Sequence, residues 1–507
     1  MKMLRLLAGL AIVGAAMTAS AQTWNFAHGG ADNAGFAGIE TSPIITTSKP
    51  KIVAGIGPVV SGSGPTISTN GTAYIGNAYG VVKAISRTGT LNWTATVDEA
   101  RIPVSPIVGE DGSVYVIGAG SRIHDHRPGA KYQAVSTLYK FDKNGVLQWK
   151  VAMPVTHHNP KIEGGGIVNG APVAMGSGAD EAILVPVHVV TDPPSDSPRI
   201  GCTQLMVLTH KCEPIHHPAK SVLHIIGFSR NGDIVFNQEF KSSYRPDNSR
   251  WCLMDCWLGM DDPSYHPNTT IAQLPDTSRA SATALAIAPG NIFVANDGIA
   301  TMRGYYYQPG LAPQQRFEKK LGHNITSSSA VLTDTHSAIA ITRGIIAFGG
   351  PSTEARPDVK HSQYRNPKRV YATPTRLADG RLVTLDLDGE LALIDGKKAV
   401  KWDQLRGQTV ASPAASKGYV YVSTVEEIVS FHADTLEEAG RYLWAGGGTS
   451  PPAIGPQGLV YAIAGEKLYI FPNNNPGSNL DGDGEACSRP GGVAGSLNAE
   501  CRPGMTH

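Results

Sequence analysis

SPIVGEDGSVYVIG (Ser105 to Gly118) and STLYKFDKNGVLQW (Ser136 to Trp149) are the two stretches whose reading decides the fold. In the first, Pro106 opens a short apolar run, Asp111-Gly112 turns the chain, and Val114-Tyr115-Val116 follows. In the second, Leu138 to Phe141 and Leu147 to Trp149 flank Asn144-Gly145. Short β-branched and aromatic runs joined by Asp-Gly and Asn-Gly have the composition and turn chemistry of antiparallel hairpins. The same order of start, strand, Gly turn and strand recurs from eight starts, near Pro65, Pro106, Pro172, Ala282, Ser328, Pro374, Pro413 and Pro451. The clean copies repeat at about 40 residues, the length of one four-stranded propeller blade. The expected fold is all-β: an eight-bladed β-propeller of four-stranded antiparallel blades, with long loop insertions on one face.

The third and fourth strands read best in Gly80 to Trp93 and Ser136 to Trp149, with echoes at Leu223 to Phe236 and Gly389 to Trp402. The last copy ends at Phe471 after three strands, and Lys51 to Gly55 is an apolar strand ahead of the first complete start. Donating that strand to the last blade would close the ring and leave no open sheet edge. In such a blade the first-to-second and third-to-fourth turns share one face. Here those turns are tight: Asn70-Gly71, Asp111-Gly112, Asp379-Gly380 and Lys417-Gly418, then Thr88-Gly89, Asn144-Gly145 and Asn231-Gly232. The long insertions are assigned to the other face: Ser121 to Gln133, Thr191 to Lys220 and Pro351 to Arg369 between second and third strands, Pro154 to Gly166 and Phe240 to Arg279 between blades. Loops of that length in a compact fold are usually functional, so these five are expected to wall the central funnel.

Composition limits the partners. With 43 Lys and Arg against 42 Asp and Glu, the 507-residue chain has no general electrostatic grip on nucleic acid or anionic membrane. Met1 to Gln22 has a basic start at Lys2 and Arg5, an apolar stretch and Ala19-Ser20-Ala21, the pattern of a signal peptide cut after Ala21. No Cys follows the signal core and no later run is long enough to span a bilayer, so no membrane anchor is expected. The reading is a periplasmic or secreted monomer with a signal peptide over 1–21, the propeller over 22–472 and a loop-like tail over 473–507. Six cysteines suit an oxidising compartment; proximity suggests Cys202 with Cys212, Cys252 with Cys256 and Cys487 with Cys501, among fifteen pairings.

The [Ala/Ser]-Pro start, the Asp-Gly turn, Val-Tyr-Val, and Leu-x-x-[Phe/Ile]-x-x-x-Gly-x-x-x-Trp together resemble the quinoprotein-type (PQQ-like) repeat. That repeat forms eight-bladed propellers in pyrroloquinoline quinone dehydrogenases and in an outer-membrane assembly lipoprotein. WNFAHGGADNAG (Trp24 to Gly35) is similar to the N-terminal entry of such proteins. The resemblance covers residues 24 to 472, clearest in the first two and last three blades. It implies fold more than function, because function on a shared fold lives in the site. For quinone oxidation the family uses a disulfide of adjacent cysteines, a Trp beneath the cofactor, a calcium site and a catalytic Asp. This chain has no Cys-Cys dipeptide, Cys252 and Cys256 are spaced differently, and neither the calcium ligands nor the Asp aligns to any position.

The insertions also carry the candidate site residues. His124, His126, His157, His158, His216 and His217 are imidazoles that converging loops would need to hold copper or zinc. None of their spacings is a diagnostic ligand motif, and histidines that never meet are the alternative. Arg122, Asp125, Arg127, Lys360 and Arg365 offer charge to a ligand in the funnel, and Trp257 a stacking ring. In the tail, Asn479, Asp481 and Asp483 followed by Gly484 match the first half of a calcium loop, but position twelve is Pro490, which excludes an EF-hand. Two functions stay open. One is an exported oxidoreductase with a metal or quinone in the funnel, its cofactor being copper or zinc, calcium or pyrroloquinoline quinone. The other is a non-catalytic propeller binding a small-molecule or polymer ligand, such as a peptide, glycan or outer-membrane partner, at the funnel face.

Overall fold

In the computed structural model the chain is an all-β propeller of four-stranded antiparallel blades. The structure describes residues 24–60 (without 33), 62–119, 132–133, 135–154, 162–163, 166–168, 170–192, 195–197, 215–217, 220–240, 285–288, 291–296, 301–320, 331–332, 338–342, 345–349, 361–363 and most of 372–474.

Seven blades are each folded from one continuous run of chain: 66–96, 107–152, 173–239, 286–320, 331–363, 375–404 and 414–443. They are numbered 1 to 7 here, with strands a to d from the axis outward. The eight starts of the sequence therefore do not give eight like units. The start at Pro451 gives only Ala453–Ile454, Val460–Ala464 and Lys467–Phe471, and the outer strand of this closing sheet is Lys51–Ala54. Its register runs from Lys51 opposite Ile470 to Ala54 opposite Lys467. The closing strand expected from Lys51 to Gly55 is thus in place, and it covers the edge that Lys467–Phe471 would otherwise expose.

The blade strands are apolar on both sides because both sides are buried. In strand b of blade 2 (Val114–Ala119), Val114 and Val116 pack with Tyr74 and Val82 of blade 1. Tyr115 and Ile117, one residue out of phase, pack with Ile183 and Val185 of blade 3. A period of two sends alternate side chains to opposite neighbours, so a run such as VYVI needs no polar face. The tight turns fall where the sequence put them. Gly71, Gly89, Gly112, Gly145 and Gly232 all have φ between 77° and 91°, which only glycine adopts readily.

One insertion is corrected. Pro351 to Arg369 does not separate strands b and c of blade 5. Those strands, Ala338–Thr342 and Ile345–Gly349, are joined by two residues, and His361–Gln363 pairs with Ile345–Ala347 as strand d. Residues 350–360 thus join strands c and d at the tight-turn end, and 364–371 lead to blade 6 at the other. His-Ser-Gln has no apolar alternation, so the sequence carried no sign of this strand. Four of the five long insertions, not five, belong to the face opposite the tight turns.

Candidate functional site

Strand a of every blade lies nearest the axis, and one backbone edge of it has no neighbour within its sheet. Such an edge presents unpaired N–H and C=O groups, which is unfavourable unless something covers it. Residues 24–37 do so. The Trp24 carbonyl accepts from Ile67 N–H at 2.8 Å (blade 1), Asn25 from Val108 at 3.0 Å (blade 2) and Ala31 from Ile287 at 2.7 Å (blade 4). Asp32 accepts from Leu332 at 3.0 Å (blade 5), Ala34 from Arg376 at 2.8 Å (blade 6) and Gly35 from Ala415 at 2.7 Å (blade 7); Ala37 N–H donates back to Ala415 at 2.7 Å. Each donor is the second residue of its strand a, next to the a-to-b turn. One segment therefore crosses the channel from blade 1 to blade 7 on the tight-turn side.

Side chains fix the segment as well. His28 is buried, with Nε2 3.0 Å from the Pro413 carbonyl and 3.2 Å from Thr375 Oγ1. Asp32 pairs with the Arg376 guanidinium at 3.3 Å. Gly35 has φ 63°, and a Cβ there would come within 2.4 Å of the His28 ring. The HGGADNAG stretch is glycine-rich because the chain must run past an imidazole at backbone distance.

The other end of the inner strands is different. There the residue before four of the six start prolines is a small hydroxyl, Ser105, Thr373, Ser412 and Ser450, while Ala171 precedes Pro172 and Gly64 precedes Pro65 with Ser63 one residue further back; all five hydroxyl residues are buried. Neighbouring blades are laced through them, Gly64 N–H donating to Ser105 Oγ at 2.8 Å and Thr373 N–H to Ser412 Oγ at 2.9 Å. Ser63 Oγ is buried with no hydrogen-bond partner. This end is where the four large insertions begin and end. Two of them meet: Tyr132–Gln133 pairs in parallel with Ile162–Glu163, joining the b-to-c insertion of blade 2 to the link that follows that blade. In the b-to-c insertion of blade 3, Ser195–Ser197 pairs with Ile215–His217, which sets His216 opposite Asp196 and His217 opposite Ser195.

The remaining candidates from the sequence lie outside the described residues: Arg122, His124, Asp125, His126, Arg127, His157, His158, Trp257, Lys360, Arg365, Asn479, Asp481, Asp483 and all six cysteines. Among the described residues no group of three or more His, Cys, Asp and Glu side chains is placed to hold a metal. The channel wall, made among the described residues of hydroxyls and backbone edges, thus supplies no donor set for copper, zinc or calcium.

Two histidines not singled out by sequence reasoning do come together. His188 on strand b of blade 3 and His224 on strand c are near neighbours, His188 pairing with Leu223 and His224 with Val187. His188 is wholly buried, and that burial, with the nearby His224, pushes its pKa down to about 4. His224 Nδ1 is 2.8 Å from Asn237 Oδ1. Both sit within VPVHVV and SVLHII, where the apolar context read simply as strand.

Similarity to known proteins is one of shape. A europium-containing methanol dehydrogenase superposes with a TM-score of 0.55 at 12% identity, over 90% of this chain and 98% of that one. BamB from Moraxella catarrhalis superposes with a TM-score of 0.51 at 12% identity, over 85% of this chain and all of that one. The chain shares their propeller fold. No protein family and no curated protein matches its sequence. The propeller of four-stranded antiparallel blades implied by the quinoprotein-like repeat is therefore observed, with seven blades each folded from one continuous run instead of eight, while an identity of 12% carries the fold and not the chemistry.

Proposed function

We propose that the protein is an extracytoplasmic binding propeller that takes its ligand through the insertion-bearing mouth. The single observation behind this reading is the closure of the other mouth by residues 24–37, hydrogen-bonded to the inner strands of six blades. A channel sealed by its own chain at one end is a receptacle with one entrance, and concave one-ended cavities are where ligands bind. In this reading the closing sheet counts as the eighth blade and the chain is an exported monomer with its signal peptide over 1–21. The ligand is a peptide, glycan or outer-membrane partner, held by Arg122, Asp125, Arg127 and Trp257 from the insertions.

A second reading has a specific observation in its favour. Four insertions flank the same mouth, three of them carrying His124, His126, His157, His158, His216 and His217, and the methanol dehydrogenase shares the fold over nearly its whole length. On this view the funnel holds copper, zinc, or pyrroloquinoline quinone with calcium, and the protein is an oxidoreductase. Elemental analysis of the untagged full chain, purified from the periplasm without chelator, separates the two. Stoichiometric copper or zinc, lost in His124→Ala/His126→Ala without a change in melting temperature, supports the oxidoreductase. Calcium with saturable uptake of added pyrroloquinoline quinone supports the quinone form. Protein without metal that shows a melting shift with a peptide or glycan, abolished by Arg122→Ala/Arg127→Ala, supports the binding propeller; no shift from any compound overturns it.

A further inference from the structure

On the tight-turn face, away from the mouth treated above, lies a cleft of 710 Å³. It is bounded by residues 40–45, where the N-terminal segment leaves the axis, and by the a-to-b and c-to-d turns of blade 7. We propose that this cleft is a second binding site, for a neutral saccharide.

The cleft is built, not a chance gap. Residues 40–45 are fixed to blade 7 on one side: Thr41 Oγ1 is 2.6 Å from Ser416 Oγ, Tyr421 O–H donates to Thr41 Oγ1 at 2.6 Å and to the Ser42 carbonyl at 2.7 Å, and Ser430 Oγ accepts from Ile44 N–H at 3.1 Å. They are fixed to the closing sheet on the other: Ser42 O–H donates to Asn473 Oδ1 at 2.7 Å, and Asn473 Nδ2 donates to the Glu40 carbonyl at 3.1 Å. The c-to-d turn of blade 7 departs from the Gly turns of blades 1 to 3. It is longer, and it holds Leu436 at φ 52°, in the left-handed region, with that side chain fully buried. A non-glycine residue persists there only when its surroundings hold it. The buried Leu436 side chain anchors the turn that carries His432 and Asp434 to the rim.

The lining has the chemistry of sugar recognition. Tyr419, partly exposed, stands 5.4 Å from the exposed His432 ring with the two planes tilted by 39°, and the Tyr419 ring offers an apolar surface to the C–H face of a pyranose. Glu40 and Asp434 are exposed carboxylates that accept from hydroxyls, and Lys417 and Asn474 are donors to them. Two carboxylates beside a lysine and a histidine make no strong field of either sign, so neither a polyanion nor a polycation is favoured over a polar, uncharged ring. The cleft is wide open, which suits one or two units of a longer glycan. It also exists only when the N-terminal segment has closed the ring, so a bound saccharide would report the closed state.

The test is isothermal titration of the full-length protein with chitotriose, maltotriose and cellotriose in turn. At least one is expected to bind with a Kd of about 1 mM or tighter. Tyr419→Ala and Asp434→Asn should each weaken it about tenfold, while Tyr419→Phe, which keeps the ring, retains it. Asp434 is an exposed turn residue, so Asp434→Asn should leave the melting temperature unchanged and stays informative if Tyr419→Ala fails to fold. Arg122→Ala/Arg127→Ala, at the other mouth, should not alter the titration. Absence of heat with all three sugars overturns the inference. So does binding that survives both cleft variants, or binding abolished by the arginine changes, which would move the sugar to the insertion mouth.

Discussion

Where blade 1 meets blade 2, the outer strand of blade 1 places Trp93 over Gly145, and its indole N–H donates to the Lys143 carbonyl in the c-to-d turn of blade 2 at 2.9 Å. The seam between blades 2 and 3 repeats this, with Trp149 against Gly232 and a 2.8 Å bond to the Arg230 carbonyl. Where the closing sheet meets blade 1, the corresponding glycine, Gly89, is covered instead by Lys51 and Val53. Among the described residues no indole bonds across that seam; Tyr461 O–H donates to the Gly71 carbonyl at 2.9 Å and the Arg87 guanidinium to Gln457 Oε1 at 3.2 Å, while the other side of the closing sheet is tied to blade 7 by residues 41–44 through Thr41, Ser42 and Ile44. The seams between blades 1 and 2 and between blades 2 and 3 are thus each bridged by an indole that the repeat supplies. The closing sheet is held instead by Tyr461 and Arg87 toward blade 1, and by the strand Lys51–Ala54 and residues 41–44, which lie outside the repeat. A ring of like blades needs one joint that tolerates the meeting of two chain ends, and here that joint takes over the plugging of the channel.

The largest effect should come from removing residues 22–54. That uncovers Gly89, exposes Lys467–Phe471 as a sheet edge and frees the inner strands, at a cost on the order of 10 kcal/mol, comparable with the whole stability of a domain. Calorimetry and size-exclusion chromatography are expected to show no cooperative transition near that of the full chain, with association through the open edge. A truncated protein that melts as the full chain does would mean that the closing seam is no weaker than the regular ones.

Acid should act on a regular blade before it acts on the closing seam. His188 in blade 3 has its pKa lowered to about 4, against 6.5 for a free histidine. Between those values the unfolded chain binds a proton that the folded chain does not. Stability is therefore fully present above the unfolded pKa, falls as pH drops toward the folded pKa, and levels below it, with a total loss of about 3 kcal/mol. Urea midpoints measured across that window should show this slope, and His188→Leu should remove it. Hydrogen exchange should show Val185, Val187 and Ile225 losing protection ahead of Ala37 and Ala415; the reverse order would make the closing seam the more acid-labile region.

The smallest effect is expected from Trp149→Phe, which keeps an aromatic ring near Tyr115 while removing the indole N–H and part of the half-buried ring system. The Arg230 carbonyl keeps Lys140 Nζ at 3.2 Å, so the loss should be about 1 kcal/mol or less, read from the denaturation midpoint.

Much of this architecture was legible beforehand, for reasons that particular residues show. The starts at Pro65, Pro106 and Pro413, the Asp111-Gly112 and Asn144-Gly145 turns and the strand at Lys51 to Ala54 appear where their chemistry placed them. Turn glycines and alternating apolar runs are local signals, and blades are built from local hairpins. The fourth strand of blade 5 was missed because His361-Ser362-Gln363 has no such signal and is a strand only by pairing with Ile345–Ala347. For the candidate site, the location of the insertions was mostly right. The closure of the opposite mouth was not foreseen, since a carbonyl that caps an inner strand has no residue signature. The cleft beside Tyr419 was invisible as well, because Glu40 and Asp434 are far apart in the chain.

By itself, then, the sequence determined the unit: a hairpin pair of about 40 residues, repeated, with a spare apolar strand ahead of the first copy. Hydrophobic period and turn chemistry act over a few residues, and every copy states them again. The tertiary structure alone decided which mouth of the ring is closed, what covers Gly89, and which side chains share a cleft. Those outcomes depend on where a ring brings distant segments, and on backbone hydrogen bonds that any residue but proline can donate and every residue can accept.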